Sequence, residues 1–279
     1  MFCEPRGFVN NHTDFSIFKA TILGHYKEHR RAFPWRDVIS PYRIVVSEVM
    51  LQQTQTDRVL KKFDNFINTF PNFETLANAP FERVLAAWKG LGYNRRALAL
   101  QKIAQLVVTD FDGCLPTDPA LLEKFPHIGP ATARSILVFA YNKPYAFIET
   151  NIRTVFIYFF FKNRTDVKDS EIKPLVEQTL DQDNPREWYY ALMDYGVLLK
   201  KTVGNLSVRS AVYAKQSRFE GSDRQVRGQV LSLLLERKVV PLYDLPELLH
   251  QNRTRTEKVV RTLVMDGFVR YNDEKLLLV

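Results

Sequence analysis

Residues 122–142, LEKFPHIGPATARSILVFAYN, and residues 146–155, AFIETNIRTV, decide how this chain is read. Leu121, Leu122 and Phe125 close one short apolar helix. Pro126-His127-Ile128-Gly129-Pro130 makes a tight turn. From Thr132 to Tyr141 apolar residues recur at helical spacing (Ala133, Ile136, Leu137, Ala140), so a second helix follows. A helix, a Gly-containing hairpin and a helix together present backbone N–H groups, at a helix N-terminus, to a phosphate. Directly afterwards Glu149 and Asn151 stand between the apolar residues Phe147, Ile148, Ile152 and Val155. A carboxylate just past a phosphate clamp suggests chemistry on a nucleotide. A plain helical turn followed by a capping Glu accounts for the hairpin equally well.

Upstream, Phe15 to His29 reads as an amphipathic helix with Phe18, Ile22 and Tyr26 on one face. Residues 30–36, RRAFPWR, are basic, aromatic and broken by proline. They fit a loop plugged by Trp35, or a lip that meets nucleic acid. Tyr42 to Thr54 reads as a strongly apolar helix carrying Glu48. A lone Glu in such a run is costly to bury unless paired or protonated, which suits general-acid work. A place on the polar side of a half-buried helix fits the same pattern. Gln52-Gln53-Thr54-Gln55 follows as a polar cluster, then a helix marked by Val59, Phe63, Phe66 and Phe70. Phe81–Trp88 is a short helix, Gly90-Leu91-Gly92-Tyr93 a second tight turn, and Arg95–Asp110 a longer helix.

Downstream, residues 156–161, FIYFFF, have strand composition, but their helical surroundings favour a buried helix. Two more helices are expected over 173–180 and 187–201. Residues 1–14 read as a flexible tail and 15–217 as all-α. Residues 218–223, RFEGSD, form a polar linker. Beyond it, over 222–279, three helices and a terminal hairpin outline a winged helix-turn-helix. The third helix, with Arg253, Arg255, Lys258 and Arg261, is the one that would enter a groove. The same outline also serves as a protein-docking module.

Composition narrows the partners. Hydrophobic content of 46% and charged content of 25% are globular values. No apolar run reaches the ~18 residues of a membrane span, and the N-terminal residues carry no secretory pattern, so an intracellular protein is expected. The two cysteines, Cys3 and Cys114, exclude a disulfide framework and any four-cysteine metal or iron–sulfur site. The net charge of +8 and pI near 9.4 favour a polyanion partner.

Four strings, taken in order, carry a resemblance: Pro34-Trp35-Arg36, the run from Ser47 to Gln55, Gly90-Leu91-Gly92-Tyr93, and FPHIGPATA at 125–133. From about Phe15 to Lys200 the chain resembles the adenine DNA glycosylase (MutY) branch of the helix-hairpin-helix DNA glycosylases. The resemblance implies two all-α lobes with a substrate cleft between them, into which the target nucleotide is flipped. It implies that Glu48 is the catalytic acid, protonating the base on N7, and that Gln53 and Tyr93 wedge into the duplex. It makes Arg36 a pocket arginine and Asn151 a support for the sugar-side carboxylate. It makes His127, Ile128, Gly129, Ala131 and Thr132 the phosphate-binding hairpin, which in relatives often holds a cation through backbone carbonyls.

The chain departs from the family at several positions. The sugar-side carboxylate is an aspartate in the family and Glu149 here. The cluster cysteines are absent, the first falling at Lys200, so no iron–sulfur cofactor and no side-chain metal site is expected. Ala131 stands where bifunctional relatives carry a Schiff-base lysine, so no lyase step is expected. Tyr190 falls where the family's pocket glutamate reads the adenine amino group, and His127 replaces the first hairpin glycine. The domain that senses 8-oxoguanine in the family is replaced by the winged-helix outline.

The expectation is a monomeric, monofunctional glycosylase of base excision repair. It would be DNA-associated in the cytoplasm or nucleoid, acting on double-stranded DNA with a mismatched or damaged base. Adenine opposite 8-oxoguanine or guanine is the expected target. Uracil or thymine removal from mismatches, and non-catalytic lesion binding, are the alternatives.

Overall fold

The computed structural model describes residues 15–279. The expected tail at 1–14, with Cys3, lies outside the described residues. Up to residue 222 the regular elements of the described chain are helices, and the chain falls into two compact units.

The first unit comprises residues up to Ile44, Thr117–Lys124 and Ile128–Lys215. It holds α1 (Ser16–His29), α2 (Pro34–Asp37), the start of α3 (Pro41–Leu51), and α8 (Pro119–Leu122) to α12 (Pro185–Thr202). Between the last two named lie α9 (Pro130–Tyr141), α10 (Thr150–Phe160) and α11 (Asp169–Thr179). The core is aromatic. Phe18 of α1 packs edge-on against Trp188 of α12, ring centroids 5.8 Å apart, and lies 5.4 Å from Phe156 of α10. The apolar run 156–161 is thus the C-terminal half of a helix and its cap, with Phe156 and Ile157 fully buried, as its surroundings require. Pro130 opens α9 at its first turn, where a missing N–H costs nothing. Asn142 closes it in the left-handed conformation that Asn tolerates best after Gly.

The second unit comprises Val45–Pro116, Phe125–His127 and Gln216–Val279. It holds the rest of α3 and four helices: α4 (Thr56–Thr69), α5 (Phe73–Ala77), α6 (Phe81–Trp88) and α7 (Arg95–Asp110). The helix expected over 42–54 ends earlier, at Leu51, because Gln53 adopts φ 55, which breaks the right-handed spiral. After Ser222 come α13 (Asp223–Arg237), β1 (Val239–Pro241), α14 (Leu245–Leu248), α15 (Arg253–Met265), β2 (Val269–Asn272) and β3 (Lys275–Leu278). The strands form an antiparallel sheet in the order β1-β3-β2, with Val239 opposite Leu277 and Val269 opposite Leu278.

Three helices and a small sheet of this order, with β1 between α13 and α14, make this part of the chain winged-helix-like. Its core (Val226, Val230, Leu234, Phe268, Leu276) is continuous with Leu85, Phe81 and Leu98 of α6 and α7. Arg95 of α7 forms a two-pronged pair with Asp266 at the end of α15 (2.9 and 3.0 Å). The basic side of α15 is largely occupied within the molecule. Arg255 and Lys258 both pair with Asp223, and Arg253 with Glu257.

Candidate active site

The residues singled out from the sequence divide between the units. Arg36, Glu149, Asn151 and Tyr190 lie in the first. Glu48, Gln53, Tyr93 and His127 lie in the second, while Ile128, Gly129, Ala131 and Thr132 open the α9 end of the first.

Glu149 is the N-cap of α10. Its Oε1 accepts from the backbone N–H of Asn151 (2.8 Å) and of Ile152 (3.0 Å), and its Oε2 from Asn151 Nδ2 (3.3 Å). Asp is the common capping acid. The extra methylene of Glu is absorbed here by folding the carboxylate back onto the helix start. The positive end of the helix favours the ionised form. Burial acts against it and is the larger influence, so the carboxyl is raised from its ordinary value despite those hydrogen bonds and nearby Arg153. Asn151 therefore holds the carboxylate through both its backbone and its side chain.

Gly196 of α12 makes that arrangement possible. A Cβ at this position would lie 2.6 Å from Asn151 O and 2.9 Å from Asn151 Cα, both backbone atoms that cannot swing aside. Gly196→Ala is expected to cost about 1–3 kcal/mol of stability by overpacking. It should also displace the start of α10, which carries Glu149 at its N-cap. Urea unfolding of the variant beside the parent protein checks the cost.

Arg36 sits in an aromatic and ionic frame. Its guanidinium lies 4.2 Å from the Tyr190 ring centroid and 4.9 Å from that of Phe33. Tyr190 stacks in parallel on Phe139 at 4.7 Å, and Phe33 on Trp35 at 5.0 Å. Both terminal nitrogens of Arg36 donate to Asp194 (3.0 Å each), which also accepts from the backbone N–H and Nε of Arg31. The Arg36 side chain is 7% exposed and that of Asp194 1%. Burial raises the Asp194 carboxyl, but the hydrogen bonds and charge of Arg36 and Arg31 outweigh it and hold the group below the ordinary Asp value. Arg36 is thus committed to Asp194. Tyr190 supplies a ring face for Arg36.

Glu48 lies half-buried on α3 between Ser47 and Val49, which are buried. The end of this helix is organised by Arg96, a buried arginine that the sequence reading did not single out. Arg96 donates to the carbonyls of Val49 (3.0 Å), Met50 (2.7 Å), Leu91 (3.2 Å) and Gly92 (3.1 Å), and to Thr54 Oγ1 (2.8 Å). The carbonyls of Val49 and Met50 are orphan carbonyls at the C-terminus of α3, where a cation is also favoured by the dipole. Burial pushes the Arg96 guanidinium down to about 10, so it remains charged at neutral pH. One side chain therefore ties the helix of Glu48 and the Gln52–Thr54 turn to the Gly90–Tyr93 turn. Trp88 Nε1, donating to Gly92 O at 3.0 Å, secures the second turn further.

Gln53, Tyr93 and His127 have left-handed backbones, with φ of 55, 47 and 61. Asn, Asp and His tolerate this region comparatively well, whereas Gln and Tyr are unusual there. Such strain of about 1–3 kcal/mol per residue concentrates where a side chain must be aimed. His127 takes a left-handed angle that glycine adopts freely, while Gly129 has an ordinary φ of −91 as the N-cap of α9. The left-handed residue of the hairpin is thus the histidine. No side chain caps α9, and Ala131 and Thr132 stand at its open end. His127 O accepts from Gln52 Nε2 at 3.0 Å, which engages one of the hairpin carbonyls.

A four-cysteine cluster does not fit this chain, because no thiol occurs between Lys200 and Ser217. The segment is fastened by other means. Arg209 donates to the carbonyls of Arg164 (2.7 Å) and Phe161, and the Ser207 hydroxyl bonds that of Thr154 of α10 at 3.2 Å. Lys200 and Lys201 are exposed. Among the described residues no helix is long and apolar enough to cross a membrane.

The model of the HhH-GPD superfamily base excision DNA repair proteins matches residues 46–179, which include Glu48, the hairpin and Glu149. An adenine DNA glycosylase of Mycolicibacterium smegmatis is 30% identical over 272 residues, covering 91% of this chain and 93% of that protein. An adenine DNA glycosylase of Buchnera aphidicola is 35% identical over 188 residues, covering 66% of this chain, which spans only 53% of that relative's length. A solved thermostable thymine-DNA glycosylase superposes with a TM-score of 0.58 at 25% identity, over 65% of this chain and 85% of its own. The chain belongs to the HhH-GPD superfamily of base excision DNA repair proteins, in its adenine DNA glycosylase branch.

Proposed function

We propose that this protein is a monofunctional DNA glycosylase that hydrolyses the N-glycosidic bond of a flipped base in mismatched duplex DNA. The observation that carries this reading is the Glu149 carboxylate, anchored by Asn151 and Ile152 at the start of α10. Such a group steadies positive charge developing on a sugar, the role the second carboxylate plays in glycoside hydrolysis. Glu48 is the acid that protonates the departing base. Water then joins C1′, and free base and an abasic site are the products. Gln53 and Tyr93 fill the space the base leaves, and the open end of α9 takes a phosphate. With Ala131 beside the hairpin, no amine is available there for a Schiff base, so strand cleavage is not part of the reaction. No cluster cofactor is required, and DNA is the partner, engaged by a monomer.

Adenine opposite 8-oxoguanine or guanine is the first-choice substrate, supported by the relatives' names. Thymine or uracil in mismatches is the second reading, favoured by Tyr190 in its stack with Phe139 and Arg36 in place of an acid. Single-turnover excision on duplexes carrying A opposite 8-oxoguanine, A:G, T:G and U:G separates them. Adenine release, with strand breaks appearing only after alkali, is the expected result. Release of thymine or uracil alone moves the assignment to the second reading. Tight binding without release from any duplex overturns the catalytic reading.

A further inference from the structure

Tyr93 is held from a direction that the glycosylase motifs do not explain. Arg224, in the first turn of α13, donates through Nη1 to the Tyr93 hydroxyl at 2.8 Å, and its guanidinium carbon lies 5.6 Å from the Tyr93 ring centroid. Through Nη2 the same guanidinium donates to Ser217 O (2.7 Å) and Ser217 Oγ (3.1 Å). Gln216 also donates to the Tyr93 hydroxyl. From the glycosylase side, the Arg96 guanidinium carbon lies 5.4 Å from the Tyr93 ring centroid. All these residues belong to the second unit.

We propose that Arg224, with Gln216, is a positioning residue for Tyr93, fixing the ring in the orientation in which it enters DNA. The inference rests on the reading of Tyr93 as a wedge. The physical reason lies in its backbone. A tyrosine on a strained turn, preceded by Gly90 and Gly92 with φ of 99 and 72, has little local structure to restrain its side chain. Donors at the hydroxyl and cations at the ring supply that restraint. The segment entering the winged-helix-like end therefore does more than connect. It carries the brace, and the docking of α13 and α15 on α6 and α7 sets where the brace stands.

The test uses the full chain and two duplexes, A opposite 8-oxoguanine and T:G, each with 2-aminopurine next to the target base. Fluorescence reports base extrusion whether or not excision follows. Arg224→Ala is expected to lower extrusion about tenfold, since misplacement of about 1 Å at such a site costs up to ~100-fold. Affinity for undamaged duplex and the melting temperature should stay nearly unchanged, because Arg224 is half-exposed. Arg224→Lys should recover part of the loss. The double variant with Tyr93→Phe should lose no more than the worse single variant, since both remove the same contact. Normal extrusion by Arg224→Ala, while Tyr93→Ala fails to extrude, would overturn the brace and leave the wedge standing. Faster extrusion by Arg224→Ala would overturn it too, by making Arg224 a restraint. Normal extrusion by Tyr93→Ala would remove the wedge itself.

Discussion

Replacing Glu48 by Gln is expected to slow single-turnover excision by about 10²–10⁴-fold, the usual contribution of a positioned acid. The substitution keeps the shape and hydrogen-bonding reach of the side chain and removes only the transferable proton. Its surroundings should survive it. Ser47 and Val49 on either side are buried, and the carbonyls of Val49 and Met50 near the end of α3 are held by Arg96. Duplex affinity and melting temperature should therefore match the parent protein. An unchanged excision rate would end the assignment of Glu48 as the acid.

The largest stability effect is expected from Asp194→Ala, about 3–5 kcal/mol. Removal of the carboxylate leaves the Arg36 guanidinium 7% exposed, with its shared partner gone and Arg31 O still accepting from Nη1. Arg31, at 31% exposed, can turn to water and should add little. The pH dependence has a definite sign. Asp194 is held below the ordinary Asp value in the folded chain. Its contribution is thus fully present above the unfolded value of about 3.9 and is lost as pH falls through the lower folded value. Urea unfolding at neutral and acidic pH should show the gap between parent and variant narrowing only at the acidic end. A gap that stays constant would show that the pair with Arg36 is not its source.

Much of the fold was legible because its signals are local. Phe81–Trp88 and Arg95–Asp110 have the limits their apolar spacing and flanking glycines indicate. Lone carboxyl groups in apolar runs drew attention to Glu48 and Glu149 for the same reason. Asp194, in the equally apolar run Ala191–Gly196, carries the same signal. β1 was missed because a three-residue strand ending in Pro241 has no alternation to read.

The sequence by itself determined the all-α framework, the hairpin, the two carboxylates and the absence of cluster thiols, all of which depend on residue type and short spacing. Tertiary structure alone decided what those residues touch. Arg36 meets Asp194 across 158 positions of chain, and Tyr93 meets Arg224 across 131. Gly196 lies against Asn151, and Arg96 gathers carbonyls from two turns. The spacing of a motif fixes which face of a helix a side chain occupies. The partner on the other side of that face depends on how distant helices pack, and no local period encodes it.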